Sequence, residues 1–315
     1  MSMLDRMTRR LGSENGLPAP GVIADVAALS AQRRSAWEAV QVARNVQRPH
    51  TLDVIARIFT GFQELHGDRG FRDDPAIVAG LAPFDQRPLA VVGHQKGANT
   101  EENIQRNFGM PHPEGLRKGL RVMRLAEKFA LPVVTFIDTP GAYPGPEAEE
   151  RGQSEAIARN IFEMSRLRTP IVAIVLGEGG SGGALALGVG DVVLALENAI
   201  YSVISPEGCA AILWRSNAEA ERAAVALKLA APDLLEQRII DGVIPEPPEG
   251  AHSDHAATAE NIAVALRGQL ERLARIPTED LLALRYERYR TIGVLTEPAP
   301  APPPPKPWWR RIVSR

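Results

Sequence analysis

The sequence has little of what usually makes chemistry easy to read. Its 315 residues include one cysteine, Cys209, so this chain can form no internal disulfide and supply no thiolate cage for zinc. Aromatic residues make up 5% and no run of 18 apolar residues occurs, so no stretch reads as a membrane span. Charge of one sign is lacking too: 36 basic against 38 acidic side chains give a net charge of -2, which excludes the strongly basic character of a nucleic-acid-binding domain. The six histidines are scattered. His252 and His255 lie close together in EGAHSDHAAT but have no third ligand in view, so a surface pair is expected there and no metal on this chain. The opening MSMLDRMTRR is not followed by an apolar signal core; with the lone cysteine, this points to the cytoplasm.

What the chain does have is glycine in one place. Gly177 to Asp191 reads GEGGSGGALALGVGD and follows the β-branched run Ile171 to Leu176. A strand that breaks into glycines and resumes as small apolar residues predicts strand, loop and helix N-terminus. Bare amides at the positive end of a helix dipole can bind an anion, or an oxygen on which negative charge develops. A second strand, Val133 to Ile137, opens into DTPGAYPG at Asp138 to Gly145, and two such loops in one sheet could converge their N–H groups on one oxygen.

Other short apolar runs, Ala76 to Leu81, Leu89 to Val92 and Val192 to Leu196, alternate with helix-like stretches at Leu116 to Phe129 and Gln153 to Leu167, which predicts an α/β core. Before it lie a helix-like run, Ile23 to Val46, read as an arm, and a helix over Thr51 to Leu65. After it come helices over Pro232 to Ile240, Ala256 to Ala274 and Thr278 to Arg290, the last with Thr278 as expected N-cap. The division expected is an arm at 1–47, a main domain at 48–295 and a proline-rich tail at 296–315 that ends in WWRRIVSR. Arg117, Arg121, Arg124 and Lys128 share one helix face, either a solvated stripe or a docking surface for acidic groups.

The glycine loop fits two other patterns. Gly177, Gly179 and Gly182 fit G-x-G-x-x-G, with Glu197 where a ribose-binding acid would sit. Gly179 to Gly183 fits G-x-S-x-G, with Ser181 as nucleophile, His252 or His255 as base and Asp233 or Asp241 between them. The short helix after the loop weakens the first, and the polar setting of the histidines weakens the second. A Walker A loop is excluded because no lysine follows the glycines.

Several long motifs resemble the alpha subunit of the bacterial acetyl-coenzyme A carboxylase carboxyltransferase: RPHTLDVI at Arg48, GDRGFRDDPAIVAG at Gly67, GHQKG at Gly93, RNFGMPHPEG at Arg106, TFIDTPGAYPG at Thr135, EERGQSEAIARN at Glu149, GEGGSGGALA at Gly177 and YSVISPEGCAAILW at Tyr201. The resemblance spans most of residues 48–295 and implies a crotonase-like fold, a spiral of ββα units with peripheral helices. It further implies an alpha2beta2 heterotetramer with a beta subunit that carries the family's zinc ribbon, and work alongside a biotin carboxyl carrier protein and biotin carboxylase. The implied reaction moves a carboxyl group from carboxybiotin on the carrier to acetyl-CoA, giving malonyl-CoA for fatty acid synthesis. Charge then develops on the biotin ureido oxygen and on the thioester oxygen, and each needs an oxyanion hole. On this resemblance Gly182 and Gly183 serve the biotin side, with Gly141 and Ala142 as opposing donors. Biotin itself can act as base, so no catalytic Ser, His or Cys is required. A scaffold subunit without chemistry and a serine hydrolase are the alternatives, the first disfavoured by intact glycine loops.

Overall fold

A computed structural model describes Val22 and residues 34–293. The sheet runs in the order β1 (Gln63–Glu64), β2 (Ile77–Phe84), β3 (Arg87–His94), β4 (Val133–Thr139), β5 (Ile171–Gly180), β6 (Val192–Leu196), β8 (Gly242–Ile244), and β7 (Ile200–Ser202) pairs with the far end of β5. The first three strands pair antiparallel, and β3 to β6 and β8 run parallel. The near-continuous apolar runs of β4, β5 and β6 are explained by this: central parallel strands are covered on both faces and are almost entirely buried. Because β5 is ten residues long, its first half pairs with β6 and its last three residues with β7, so its glycines lie inside the sheet edge that β7 completes.

In chain order the helices are α1 (Ala36–Ala43), α2 (Thr51–Ile58), α3 (Thr100–Gln105), α4 (Pro113–Lys128), α5 (Pro146–Glu150), α6 (Gln153–Arg166), α7 (Ser181–Gly188), α8 (Pro206–Trp214), α9 (Ala220–Leu227), α10 (Ala231–Glu236), α11 (His255–Leu273) and α12 (Thr278–Arg290). Helices α4, α6 and α7 form the crossovers between parallel strands. Buried Asn160 of α6 joins the other two by donating to the carbonyls of Leu116 (3.1 Å) and Ala186 (3.2 Å). Thr135 of β4 donates to the carbonyl of Leu187 (2.7 Å) and ties α7 to the strand beside it.

Two expectations need correction. The helix from Thr51 stops at Ile58, because Phe59 is extended and Gly61 takes a left-handed turn (φ 56°) that leads into β1. Phe62 keeps the apolar spacing for another reason: its ring lies where a Cβ on Gly80 of β2 would be, so β1 can cross there. Helix α12 does begin at Thr278, but its N-cap is Pro277 and no side chain caps it. Of the arm, residues 34–47 are described: α1 has a Ser35/Glu38 capping box and buries Ala39, Val40 and Ala43 against Ile200, Leu229 and Ala230. Val22 apart, the rest of the arm lies outside the described residues, as does the proline-rich tail at 296–315.

Candidate active site

The C-terminal ends of β4 and β5 carry the two glycine loops, and parallel pairing brings them side by side, with Thr139 opposite Gly179. A Cβ on Gly183 would sit 2.5 Å from the nitrogen of Ala142 and 2.5 Å from the carbonyl carbon of Gly141. Another on Gly180 would collide with the carbonyl of Pro140. Backbone therefore packs directly on backbone, and only glycine fits at either position. Gly182 is less confined, its nearest neighbour being the Ile157 side chain at 3.4 Å.

Helix α7 begins at this junction. Ser181 is left-handed (φ 50°), which makes the strand-to-helix reversal sharp, and no side chain caps the helix. First-turn amides, those of Gly182 and Gly183 included, have no partner within a helix. Gly141 differs from its neighbour: its amide is held by the Thr139 hydroxyl at 3.1 Å, and that hydroxyl donates to the Gly141 carbonyl at 2.7 Å. Beside the loops a small cavity of about 30 Å³ is lined by Pro140, Gly179, Gly180, Arg44, Ser202 and Pro206, among others.

Beneath the loops lies a chain of charges that sequence reading missed. Lys96 donates to Asp138 Oδ1 (2.8 Å) and Glu178 Oε2 (2.9 Å); Arg44 reaches Glu178 Oε1 (2.6 Å) and Glu207 Oε1 (2.6 Å). His50 Nδ1 meets Asp138 Oδ2 at 3.1 Å, and the Glu178 amide donates to Asp138 Oδ1 at 3.0 Å. Burial opposes every charge here, but each has its partner. The Asp138 carboxyl is held well below the usual range against its burial by Lys96 and His50, and Lys96 is held above the usual lysine range by Asp138 and Glu178. The signal was present as a lysine in GHQKG, an acid closing each apolar strand and an arginine just before RPHT.

His94, at the end of β3, is wholly buried. Neither ring nitrogen makes a hydrogen bond of normal geometry, although the carbonyls of Phe136 and Gly183 lie near enough to favour its proton; burial prevails and draws its pKa down to about 4. His112 stacks on Tyr143 with centroids 4.2 Å apart, and the Tyr143 amide donates to the Pro111 carbonyl (3.0 Å), so MPHPEG braces the DTPGAYPG loop.

The residues of the alternative readings do not assemble. His255 bonds the Gln47 carbonyl through Nε2 (2.7 Å), Asp241 accepts from Arg288 and the Val193 amide, and among the described residues no hydrogen bond joins Ser181 to a histidine. Glu197 accepts from the Glu246 amide (3.1 Å) instead of facing the glycines. The basic stripe has partners within the chain while its Arg124 and Lys128 stay exposed: Arg117 pairs with Asp68, Arg121 donates to the carbonyls of His66 and Gly67, Arg124 pairs with Glu163, and Lys128 lies over the Phe129 ring. Among the described residues no group of three His, Cys, Asp or Glu side chains could hold a metal, and no helix is long and apolar enough to cross a membrane. A cavity of about 450 Å³ lies at the other end of the strands, beside Pro132 and Pro170, away from the glycine loops.

Comparison with known proteins gives the family and the fold. Residues 25–293 match the family described as acetyl co-enzyme A carboxylase carboxyltransferase-like. A Methylococcus capsulatus protein named acetyl-coenzyme A carboxylase carboxyl transferase subunit alpha is 60% identical over 265 residues, 84% of this chain and 83% of the relative. One of the same name from Thermus thermophilus is 58% identical over 262 residues, 83% of this chain and 84% of its own. Among solved structures, transcarboxylase 12S with methylmalonyl-coenzyme A bound superposes with a TM-score of 0.59 at 21% identity, over 80% of this chain and 47% of that one. This chain thus spans about half the length of the transcarboxylase chain. A Pseudomonas malonate decarboxylase heterotetramer in complex with coenzyme A superposes with a TM-score of 0.56 at 18% identity, over 69% of this chain and 88% of that one. These likenesses establish the fold as the crotonase-like one of carboxyltransferases.

Proposed function

The chain belongs to the acetyl-coenzyme A carboxylase carboxyltransferase alpha-subunit family, and from that premise we propose that its converging glycine loops form the biotin-side half of a carboxyl-transfer site. As a carboxyltransferase subunit it serves the formation of malonyl-CoA from acetyl-CoA. The proposed carboxyl donor is carboxybiotin on a carrier protein, the proposed partner a beta subunit in an alpha2beta2 assembly, and the proposed setting the cytoplasm, with biotin carboxylase in the wider complex.

The observation that carries the site assignment is the backbone-on-backbone contact of Gly183 with Gly141 and Ala142 at an uncapped helix start. Such a cradle suits biotin's ureido group, which is neutral and planar and offers an oxygen to bare amides. Biotin supplies the activated carboxyl group, and its ureido oxygen gains negative charge as that group leaves. The amides of Gly182 and Gly183, aided by the α7 dipole, would stabilise that charge, and the contact with the 140–142 loop keeps them from reorganising as it develops. Ala142 is the stronger candidate for the opposing donor, because the Gly141 amide is already held by Thr139. A side chain at Gly183 would strike the neighbouring loop, whether or not it narrowed the substrate space.

The test compares Ser181→Ala with Gly183→Val, each assembled with the beta subunit and assayed for malonyl-CoA formation. Alanine tolerates the left-handed position about as well as serine, so kcat for Ser181→Ala should stay within a few-fold. Gly183→Val should lose about 100- to 1000-fold, the usual effect of losing an oxyanion donor. An inert Ser181→Ala beside an active Gly183→Val would restore the serine-nucleophile reading.

A further inference from the structure

Lys96 occupies a place that the chemistry of the amides does not explain. It comes from the segment after β3, yet its ammonium ends between Asp138 of β4, two residues before Pro140, and Glu178 of β5, two residues before Gly180. The side chain is 14% exposed, and its two carboxylate partners are 3% and 11% exposed. Two further features fix it. Gly109 is left-handed (φ 76°), and a Cβ there would come within 2.8 Å of Lys96 Cγ and 2.9 Å of the Asp138 carbonyl. A Cβ on Gly177 would come within 2.7 Å of Asp138 Oδ1. Glycines thus make room for the lysine and for its carboxylate.

We propose that Lys96 is a positioning residue for carboxyl transfer: by clamping Asp138 to Glu178 it sets the separation between the Pro140–Ala142 loop and the Gly182–Gly183 turn. The proposal rests on the reading of those amides given above. Lys96 is not the base. Two carboxylates keep it protonated, and its reach is spent on them. Without the ammonium, the two carboxylates would face each other across the strand ends with only neighbouring groups to offset them. Arg44 on Glu178 is the fixed positive charge among them, itself shared with Glu207, while His50 lies on the far oxygen of Asp138 and the buried His94 is neutral. The cluster would lose one positive charge and gain affinity for a proton shared by the two acids. That proton could restore the clamp in part, so acid should rescue a variant lacking the lysine.

The experiment uses the chain co-assembled with its beta subunit and runs the reaction in reverse, with malonyl-CoA as carboxyl donor and free biocytin as acceptor; acetyl-CoA and carboxylated biocytin are the products. Lys96→Met should lower kcat about 10- to 100-fold, since small misplacements of reacting groups have effects of that size, while KM for malonyl-CoA stays within about twofold. Relative to the parent enzyme at each pH, the variant should recover several-fold from about pH 8 to about pH 6, a change that a loss of folded protein would not produce. Both proteins are also compared in a His50→Gln background, because His50 shares Asp138 with Lys96 and would feel its loss. Unchanged kcat, a loss independent of pH, or a rise in KM for malonyl-CoA alone would overturn the proposal. Should Lys96→Met fail to assemble, Glu178→Gln keeps an acceptor for Lys96 but removes the charge. It should lower kcat several-fold, and full activity would overturn the proposal equally. An inert Gly183→Val beside a fully active Lys96→Met would sink the role of Lys96 alone, whereas an active Gly183→Val would remove the cradle and this role with it.

Discussion

His94 shows how one buried side chain can set the acid limit of the fold. Its pKa falls from 6.5 to about 4 because burial disfavours the imidazolium, so the folded chain holds it neutral while the unfolded chain takes up a proton below pH 6.5. A folded-state pKa below the unfolded value gives stability that is present above 6.5 and lost as pH falls toward 4, by about 3 kcal/mol in full. Comparing urea midpoints at about pH 7 and about pH 5 should show a decline in the parent that His94→Leu largely removes, since leucine cannot take up the proton. An equal decline in both proteins would assign acid sensitivity elsewhere. Single residues were also where sequence reading was weakest. The two loops stood out because glycines cluster along the chain, and the family resemblance singled out Gly182, Gly183, Gly141 and Ala142 within them, whereas Lys96 and Glu178 are 82 positions apart and Arg44 and Glu178 are 134 apart. The charged residues themselves are visible in the chain, but it is the parallel register of β4 and β5 that shows their meeting.

At the scale of elements, the buried strands and the crossover helices were legible because burial on both faces leaves unbroken apolar runs. The short segments were not. Strand β7 and helix α8 were missed although Ser205, Pro206 and Glu207 spell a helix start, with the Ser205 hydroxyl accepting from the Gly208 amide at 3.1 Å. Helix α12 has one wholly buried charged anchor. Arg285 is 1% exposed and donates to both oxygens of Asp191 (2.8 and 2.7 Å) and to the carbonyls of Met164, Leu167 and Thr169. Asp191 in turn accepts from the Ile171 amide at the start of β5, so the arginine pins α12 to the base of the central strand. Arg285→Met should destabilise the chain by about 3 to 5 kcal/mol, because three carbonyls and a buried carboxylate lose their donor together. Adding Asp191→Asn should recover part of that loss, and thermal melts of the single and double variants would show it. If the double variant melts lower than Arg285→Met alone, stranded charge is not what the arginine relieves.

The molecule as a whole leaves its apolar surface beside the site open. Val203 is 75% exposed, Ile212 72% and Leu213 61%, all on the segment that runs from β7 into α8. The same segment supplies Ser202, Ser205 and Pro206 to the small cavity beside Gly179 and Gly180. A chain seated on this segment would therefore also wall the glycine cradle and exclude water from it, which strengthens every amide interaction inside. The proposed beta subunit is the partner expected there, because the thioester side of the reaction needs an oxyanion hole of its own and a coenzyme A site, neither of which is assigned to the glycine loops proposed for the biotin side. Two outcomes follow for the assembled protein. The isolated chain should form no malonyl-CoA above background and gain activity on addition of the beta subunit. Leu213→Glu should weaken assembly about 10-fold or more by burying a charge at an apolar contact, while leaving the fold of the isolated chain unchanged in its melting temperature. Sedimentation of the mixed subunits, read beside activity at saturating partner, separates lost assembly from lost chemistry. Robust turnover by the chain alone would show that both halves of the site reside here, and wild-type assembly of Leu213→Glu would move the partner to another face.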